Sequence, residues 1–279
     1  MPSTIPTWIT IDPALSRAAA DARGQLHHAL QFGTAFGISY LPRAADDSHT
    51  NLGWSRELDA LVSRPTAGED TAQLALRVAD LTVMFLERQA AVAELPLQGL
   101  TIRDAHARIA SQLGTLGLDQ GRYTLARHFE IPPHPVGQGA PFDIGDGSLT
   151  TLLAAVLANA NAALHVVAEA YGGSEVRLWP HHADIATLIK VAPGRTTGAG
   201  LALGDAYYPE PYFYVNAYPT PPIDRLPRDL AGGGTWHTHE WVGAVLPLTR
   251  LDPDGTQQSV HVQAFLASAL DATTTLLRT

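Results

Sequence analysis

The chain has 279 residues, 46% hydrophobic and 16% charged, enough apolar material for one large core or two intimate halves and unlike a disordered chain. Lys and Arg total 18 against 27 Asp and Glu, a net charge of -9 without a long like-charge run, which argues against a nucleic-acid partner and a membrane-binding arm. With no cysteine, disulfides, thiolate zinc sites, iron–sulfur clusters and thiol nucleophiles are excluded.

The opening Met1–Thr10 lacks a basic segment followed by an apolar core, and no apolar stretch of membrane-spanning length is expected to run uninterrupted by charge or Pro. The expectation is a soluble, cytoplasmic protein. A first helix is predicted over Pro13–Tyr40, capped by Asp12. After Asp46-Asp47-Ser48-His49-Thr50 a strand ends in Ala60–Ser63, and Leu74–Glu87 and Ala90–Leu97 read as two more. Thr101–Leu116 reads as a helix with Asp104 in its first turn. The segment 131–148, dense in Pro, Gly and Asp, is the natural boundary between units 1–130 and 149–279. Helix Leu149–Tyr171 follows, then strands Val176–Val191, Thr196–Leu203, Pro211–Tyr218 and Trp236–Leu248, and a closing helix Val260–Leu277.

The second half repeats the order of the first, and some words recur with it. Val92-Ala-Glu-Leu-Pro-Leu parallels Gly243-Ala-Val-Leu-Pro-Leu, and His106-Ala-Arg-Ile-Ala-Ser parallels Gln263-Ala-Phe-Leu-Ala-Ser. The expected fold class is therefore α+β, an internal duplication of helix–sheet–helix units with antiparallel or mixed sheets about a pseudo-two-fold. The alternative is chance recurrence in an Ala- and Leu-rich chain.

Chemistry concentrates in two histidine-bearing segments of the second half. In Trp179-Pro-His-His-Ala-Asp184, read as a strand, period two places His182 and Asp184 on one face and His181 on the other with Trp179 and Ala183. In Trp236-His-Thr-His-Glu-Trp241 the same logic pairs His237 with His239 and turns Glu240 away with Trp236. Together His182, Asp184, His237 and His239 offer three imidazoles and a carboxylate, an inventory that suits Zn, Fe, Mn or Ni. A subset of these ligands leaves open positions for an activated water. His49, with Asp46 and Asp47, is a candidate contributor from the first half. Glu240 or His181 serves as acid or base if strand twist or a bulge turns it inward. The structural alternative is that these histidines bond backbone carbonyls and fill partly buried corners.

Tyr212, Tyr214, Asn216 and Tyr218 alternate on one face of their strand, an aromatic and hydrogen-bonding wall suited to a small molecule, or simply residues that suit a half-exposed strand. Asp205 and Glu210 beside it are site carboxylates or turn formers. Pro219–Gly234 reads as a long connection, with a cover over a cleft as the alternative. Gly198-Ala-Gly-Leu-Ala-Leu-Gly204 has its third glycine out of register for a dinucleotide loop, so no nucleotide cofactor is expected.

The words Asp-Asp-Ser-His-Thr50, Leu-Trp-Pro-His-His-Ala-Asp184, Tyr-Pro-Glu-Pro-Tyr-Phe-Tyr214 and Trp-His-Thr-His-Glu-Trp241-Val-Gly-Ala-Val-Leu together resemble an uncharacterised family of bacterial proteins, over nearly the whole chain. In similar sequences a Phe stands at the position of Ala183, and the residue at His239 often differs, which makes His237 the firmer of the pair. The resemblance implies a shared fold and a shared site; no activity comes with it.

Three functional expectations follow. The first is a metal-dependent enzyme acting on a small molecule, with hydrolysis favoured over oxygenation because it needs only one activated water. The second is a metal-free small-molecule binding protein with walls of Trp179, Tyr212, Tyr214 and Trp236, and the third is a structural protein without a site.

Overall fold

In the computed structural model, which describes residues 8–253 and 255–278, the predicted helices and strands form with their breaks at positions the backbone chemistry explains. The helices are α1 Ala20–Tyr40, α2 Ile102–Thr115, α3 Ser148–Tyr171 and α4 Gly255–Arg278. The strands are β1 Gly53–Ser55, β2 Ala60–Val62, β3 Ala72–Arg77, β4 Thr82–Glu87, β5 Ala90–Pro96, β6 Arg177–Trp179, β7 Asp184–Ala192, β8 Arg195–Ala202, β9 Tyr212–Tyr218, β10 Thr235–His237 and β11 Gly243–Pro247. They form two antiparallel sheets, ordered β1-β2-β3-β4-β5 and β10-β11-β9-β8-β7-β6, and the α+β class is as expected.

Three long predicted strands are interrupted. Leu74–Glu87 is a hairpin turning at Val78–Asp80, where Leu81 takes φ 46°. Val176–Val191 breaks at Pro180–Ala183 because Pro180 has no N–H to give a ladder and Ala183 sits at φ 53°. Trp236–Leu248 breaks after His237, with Glu240 at φ 65° in the turn. The first helix is shorter than predicted: Asp12 caps only a single 3-10 turn at Pro13–Leu15, and α1 begins at Ala20. At α2, Thr101 Oγ1 caps the helix by accepting from Asp104 N at 3.2 Å, and its hydroxyl donates to the Asp104 carboxylate at 2.8 Å.

One unit comprises Ala19–Ala154 with Leu178–Ala183 and holds the five-stranded sheet. Its β3 and β4 are buried on both faces along nearly their whole length, while the edge strand β5 is largely exposed. The Pro- and Gly-rich 131–148 is tied down here: Gln25 donates to the Asp143 carbonyl at 2.6 Å and accepts from its N–H at 2.7 Å, and Phe142 is fully buried.

The second unit comprises residues up to Ala18, Ala155–Arg177 and those from Asp184 on. On β7, β8, β9 and β11 the residues Ile185, Ile189, Ala199, Leu201, Phe213, Val215, Ala244 and Leu246 are all buried, and α4 lies against these strands with Val262, Phe265, Leu266 and Ala269. Burial of that apolar face is the main stabilising term of the unit. The Pro219–Gly234 connection is docked at its glycine end, where a Cβ at Gly234 would lie 2.3 Å from the Phe265 ring and Ala231 N donates to Ser268 Oγ.

Both units run helix, antiparallel sheet, helix, and His106–Ser111 and Gln263–Ser268 both fall in the helix after the sheet, yet the other recurring words occupy unlike places: β5 is an exposed edge, β11 a buried interior strand. The expected duplication is therefore not confirmed. α3 also corrects the expectation that no stretch reaches membrane-spanning length: its mean hydropathy of 1.6 and length suffice. Leu153, Val156, Leu157, Ala160 and Leu164 are buried, and Asn159 bonds the Ile9 backbone through both amide atoms.

Gln258, fully buried on α4, accepts from Ile11 N at 3.0 Å and from Trp8 Nε1 at 3.1 Å and donates to Ile11 O at 2.6 Å. Gln258→Ala strands these groups in a dry interior, and a loss of about 2–3 kcal/mol is expected in urea unfolding.

Candidate functional site

Strand register decides which side chains meet on the face of the six-stranded sheet away from α4. Asp184 pairs with Ala202, Ala202 with Tyr212, Gly200 with Tyr214, Gly198 with Asn216, Asn216 with Gly243 and Gly243 with His237. One face thus carries Asp184, Tyr212, Tyr214, Asn216, Tyr218 and His237 over a floor of Gly198, Gly200, Ala202 and Gly243. The bare floor is what admits the large side chains. A Cβ at Gly200 would stand 2.6 Å from the Tyr214 hydroxyl, one at Gly243 2.5 Å from the Trp241 ring, and one at Gly198 2.6 Å from Asn216 Oδ1.

Across this floor the Tyr214 hydroxyl donates to Asp184 Oδ2, and the Tyr212 hydroxyl donates to Asp205 Oδ2 at 2.6 Å. Asp205 Oδ1 also holds its own turn by accepting from Tyr207 N and Tyr208 N. The Tyr208 ring lies 4.7 Å from Tyr212, and its hydroxyl meets His237 Nδ1 at 3.0 Å. His237 Nε2 contacts the His239 carbonyl at 2.6 Å. A carbonyl only accepts, so Nε2 carries the proton, and in the neutral ring Nδ1 accepts from Tyr208. The Trp241 ring stacks on His237 at 4.3 Å and 26°, and Tyr207 donates to Glu240.

Burial raises the pKa of Tyr214 and Tyr212 well above the phenol value; for Tyr214 the Asp184 charge adds to it, and for Tyr212 the bond to Asp205 does. These phenols are hydrogen-bond donors at neutral pH, not nucleophiles. Beyond them the same face opens into a depression of about 590 Å3, lined among others by Thr196, Asn216, Tyr218, Thr238, Glu240 and Trp241.

The structure brings some predicted residues together and separates others. Tyr212, Tyr214 and His237 share the face, as does Asp184, but β7 and β10 stand four places apart in the sheet, roughly 19 Å at about 4.8 Å per strand. Both nitrogens of His237 are already engaged. His239 is exposed in the turn beyond β10 and supplies a carbonyl, because the strand that was to align it ends at His237. Trp236 lies on the opposite face, paired with Ala244, and donates to the Pro227 carbonyl. Among the described residues, no group of three or more His, Asp or Glu side chains is arranged to hold a metal ion.

Trp179, His181 and His182 belong to the five-stranded unit, where period two fails because 180–183 is a turn. His182 is exposed and stacks at 4.4 Å on His181, which is edge-on to Phe129 and Trp179. His49 is buried and accepts from Ala44 N through Nδ1 at 3.3 Å. Glu210 is a buried clamp on Thr249 N and Oγ1.

Sequence reasoning passed over Tyr207, Tyr208 and Trp241, and in the other unit His27, His28 and His134. A signal for Trp241 was present in Gly243, two residues on, whose missing Cβ admits its ring. His27 Nε2 meets the Pro180 carbonyl at 2.9 Å, joined there by Gln31 Nε2. His28 packs so closely that a Cβ on Gly137 would fall 2.5 Å from its Cε1, and Gly24 receives His134 in the same way.

No known family profile, curated protein or solved structure matches the chain.

Two expected outcomes follow. Gly200→Val drives methyl groups into Tyr214 and the Ile185 carbonyl, and calorimetry should show a loss of about 2 kcal/mol or more, together with a changed near-UV tyrosine signal. Burial lowers the His27 pKa from 6.5 to about 4 against the raising effect of Pro180, with His28, Arg127 and His182 disfavouring its charge further. The unfolded imidazole binds its proton first, so the stability it confers is present above pH 6.5 and fades as pH falls through 4. The unfolding free energy from urea titration should fall by roughly 2–3 kcal/mol across that window through this group, and His27→Gln should flatten the slope.

Proposed function

We propose that the chain is a metal-free small-molecule binding protein whose site is the depression on the tyrosine-bearing face of the six-stranded sheet. The observation that carries this reading is the division of labour between the two faces. Phe213 and Val215 are spent on the core beside α4, while Asn216 and Tyr218 on the same strand line a depression with Glu240 and Trp241. An aromatic and hydrogen-bonding surface that the core does not use, with its supporting rings locked by Asp184, Asp205 and Tyr208, is what a preformed pocket for a small ligand requires.

The metal-dependent hydrolase expected from the sequence is the competing proposal. It draws less support here, since His237 has no free lone pair and Asp184 lies four strands away. Elemental analysis of untagged protein, with melting curves in added Zn, Mn, Fe and Ni, decides between them. We expect less than a tenth of an equivalent of bound metal and no metal-dependent rise in melting temperature; a stoichiometric metal would reverse the choice. A diverse small-molecule melting screen should return ligands whose stabilisation disappears in Asn216→Trp, which fills the depression. Ligands indifferent to that substitution would sink the assignment of the site.

A further inference from the structure

Resting on that reading, we propose that the depression takes a neutral, hydroxyl-bearing ring, the chemistry of a mono- or oligosaccharide. Its lining sorts into three kinds of group. Tyr218 is 69% exposed, and Trp241 contributes a second aromatic surface, steadied from behind by His237. Thr196, Asn216 and Thr238 offer hydroxyl and amide groups that both donate and accept, and Glu240 offers a carboxylate. Gly198 leaves the floor between them flat.

Each kind narrows the ligand. Among the described residues that line the depression none is Lys, Arg or His, and Lys190, which pairs with Thr196 at its edge, is exposed to solvent, so a phosphate or carboxylate ligand would lose its hydration without a cationic partner inside. Glu240 already accepts the Tyr207 hydroxyl, and two aromatic rings beside an open depression do not enclose an ammonium ion as a cage does. An apolar ligand would leave the threonine hydroxyls and the Asn216 amide unpaired. A pyranose ring has an apolar C–H face for Tyr218 or Trp241 and an equatorial rim of hydroxyls for Asn216, the threonines and Glu240. The openness of the depression to Tyr218 and to Leu188, which is 45% exposed, leaves room for more than one ring along the sheet.

The test uses the full chain and intrinsic tryptophan fluorescence, supported by calorimetric titration. The probes are glucose, galactose, mannose, N-acetylglucosamine, maltose and cellobiose, with choline, benzoate and inorganic phosphate as the contrasting classes. At least one saccharide should bind saturably and quench or shift the Trp241 emission. Its affinity should fall at least tenfold in Tyr218→Ala and in Asn216→Ala, both exposed positions, with the melting temperature expected to stay at the wild-type value. Binding of choline, benzoate or phosphate in place of every saccharide would overturn the ligand class and leave the binding site standing. Failure of all probes would overturn the ligand class as well, with the melting screen above remaining the separate test of the site. Saccharide binding unaffected by both substitutions would overturn the placement.

Discussion

Three missing β-carbons govern the candidate site. At Gly198, Gly200 and Gly243 a methyl group would fall within 2.6 Å of Asn216, Tyr214 and Trp241 respectively, so each of these side chains lies in space that any other residue would fill. Because Tyr214 can cross over Gly200, its hydroxyl reaches Asp184 on β7, the far strand of that pair. Because Trp241 can cover Gly243, it meets the His237 ring, which Tyr208 and the His239 carbonyl hold in place. The polar face is thus a sheet surface made rigid by side chains lying flat upon it, with two carboxylates each accepting from a phenol. Rigidity of this kind lowers the entropy that a ligand must otherwise remove on binding.

Much of the fold was legible, because period-two and helical patterns report directly on which face is buried. The apolar residues of β7, β9 and α4 were all visible as such, and the alternation Tyr212, Tyr214, Asn216, Tyr218 put these four side chains on one face of β9, as the strand register does. Interruptions were less legible. Nothing in the local alternation of Trp-Pro-His-His-Ala-Asp announces a left-handed Ala183, and a single turn there cancels the inference that His182 and Asp184 share a face. The same holds at His237, where the strand ends and the second histidine of the pair contributes only its backbone. Distances across a sheet were invisible too: residues on one face are brought together only if their strands are neighbours, and β7 and β10 are not.

The two histidine segments, which look alike as sequence, have different physical roles. In Trp179–Ala183 the Pro180 carbonyl is the anchor, received by His27 and Gln31 from consecutive turns of α1. A carbonyl that precedes no usable N–H partner in a turn needs donors from elsewhere, and a buried neutral imidazole supplies one at the cost of acid sensitivity. At His237 the imidazole is a spacer between the Trp241 ring and the Tyr208 phenol.

The grip of Gln258 on Ile11 spans 247 positions, and it bears on how the chain is made. A ribosome delivers Ile11 before Gln258, so the backbone groups of Ile11 are without this partner until the intervening chain has been made. The five-stranded unit is complete once Ala183 has emerged, whereas the six-stranded unit closes only when α4 arrives to cover its apolar face. Vectorial synthesis therefore presents the cell with a finished first body and an open sheet of Ile, Leu, Phe and Val side chains behind it. Until α4 has been made, the apolar residues of β7, β8, β9 and β11 have no helix to cover them.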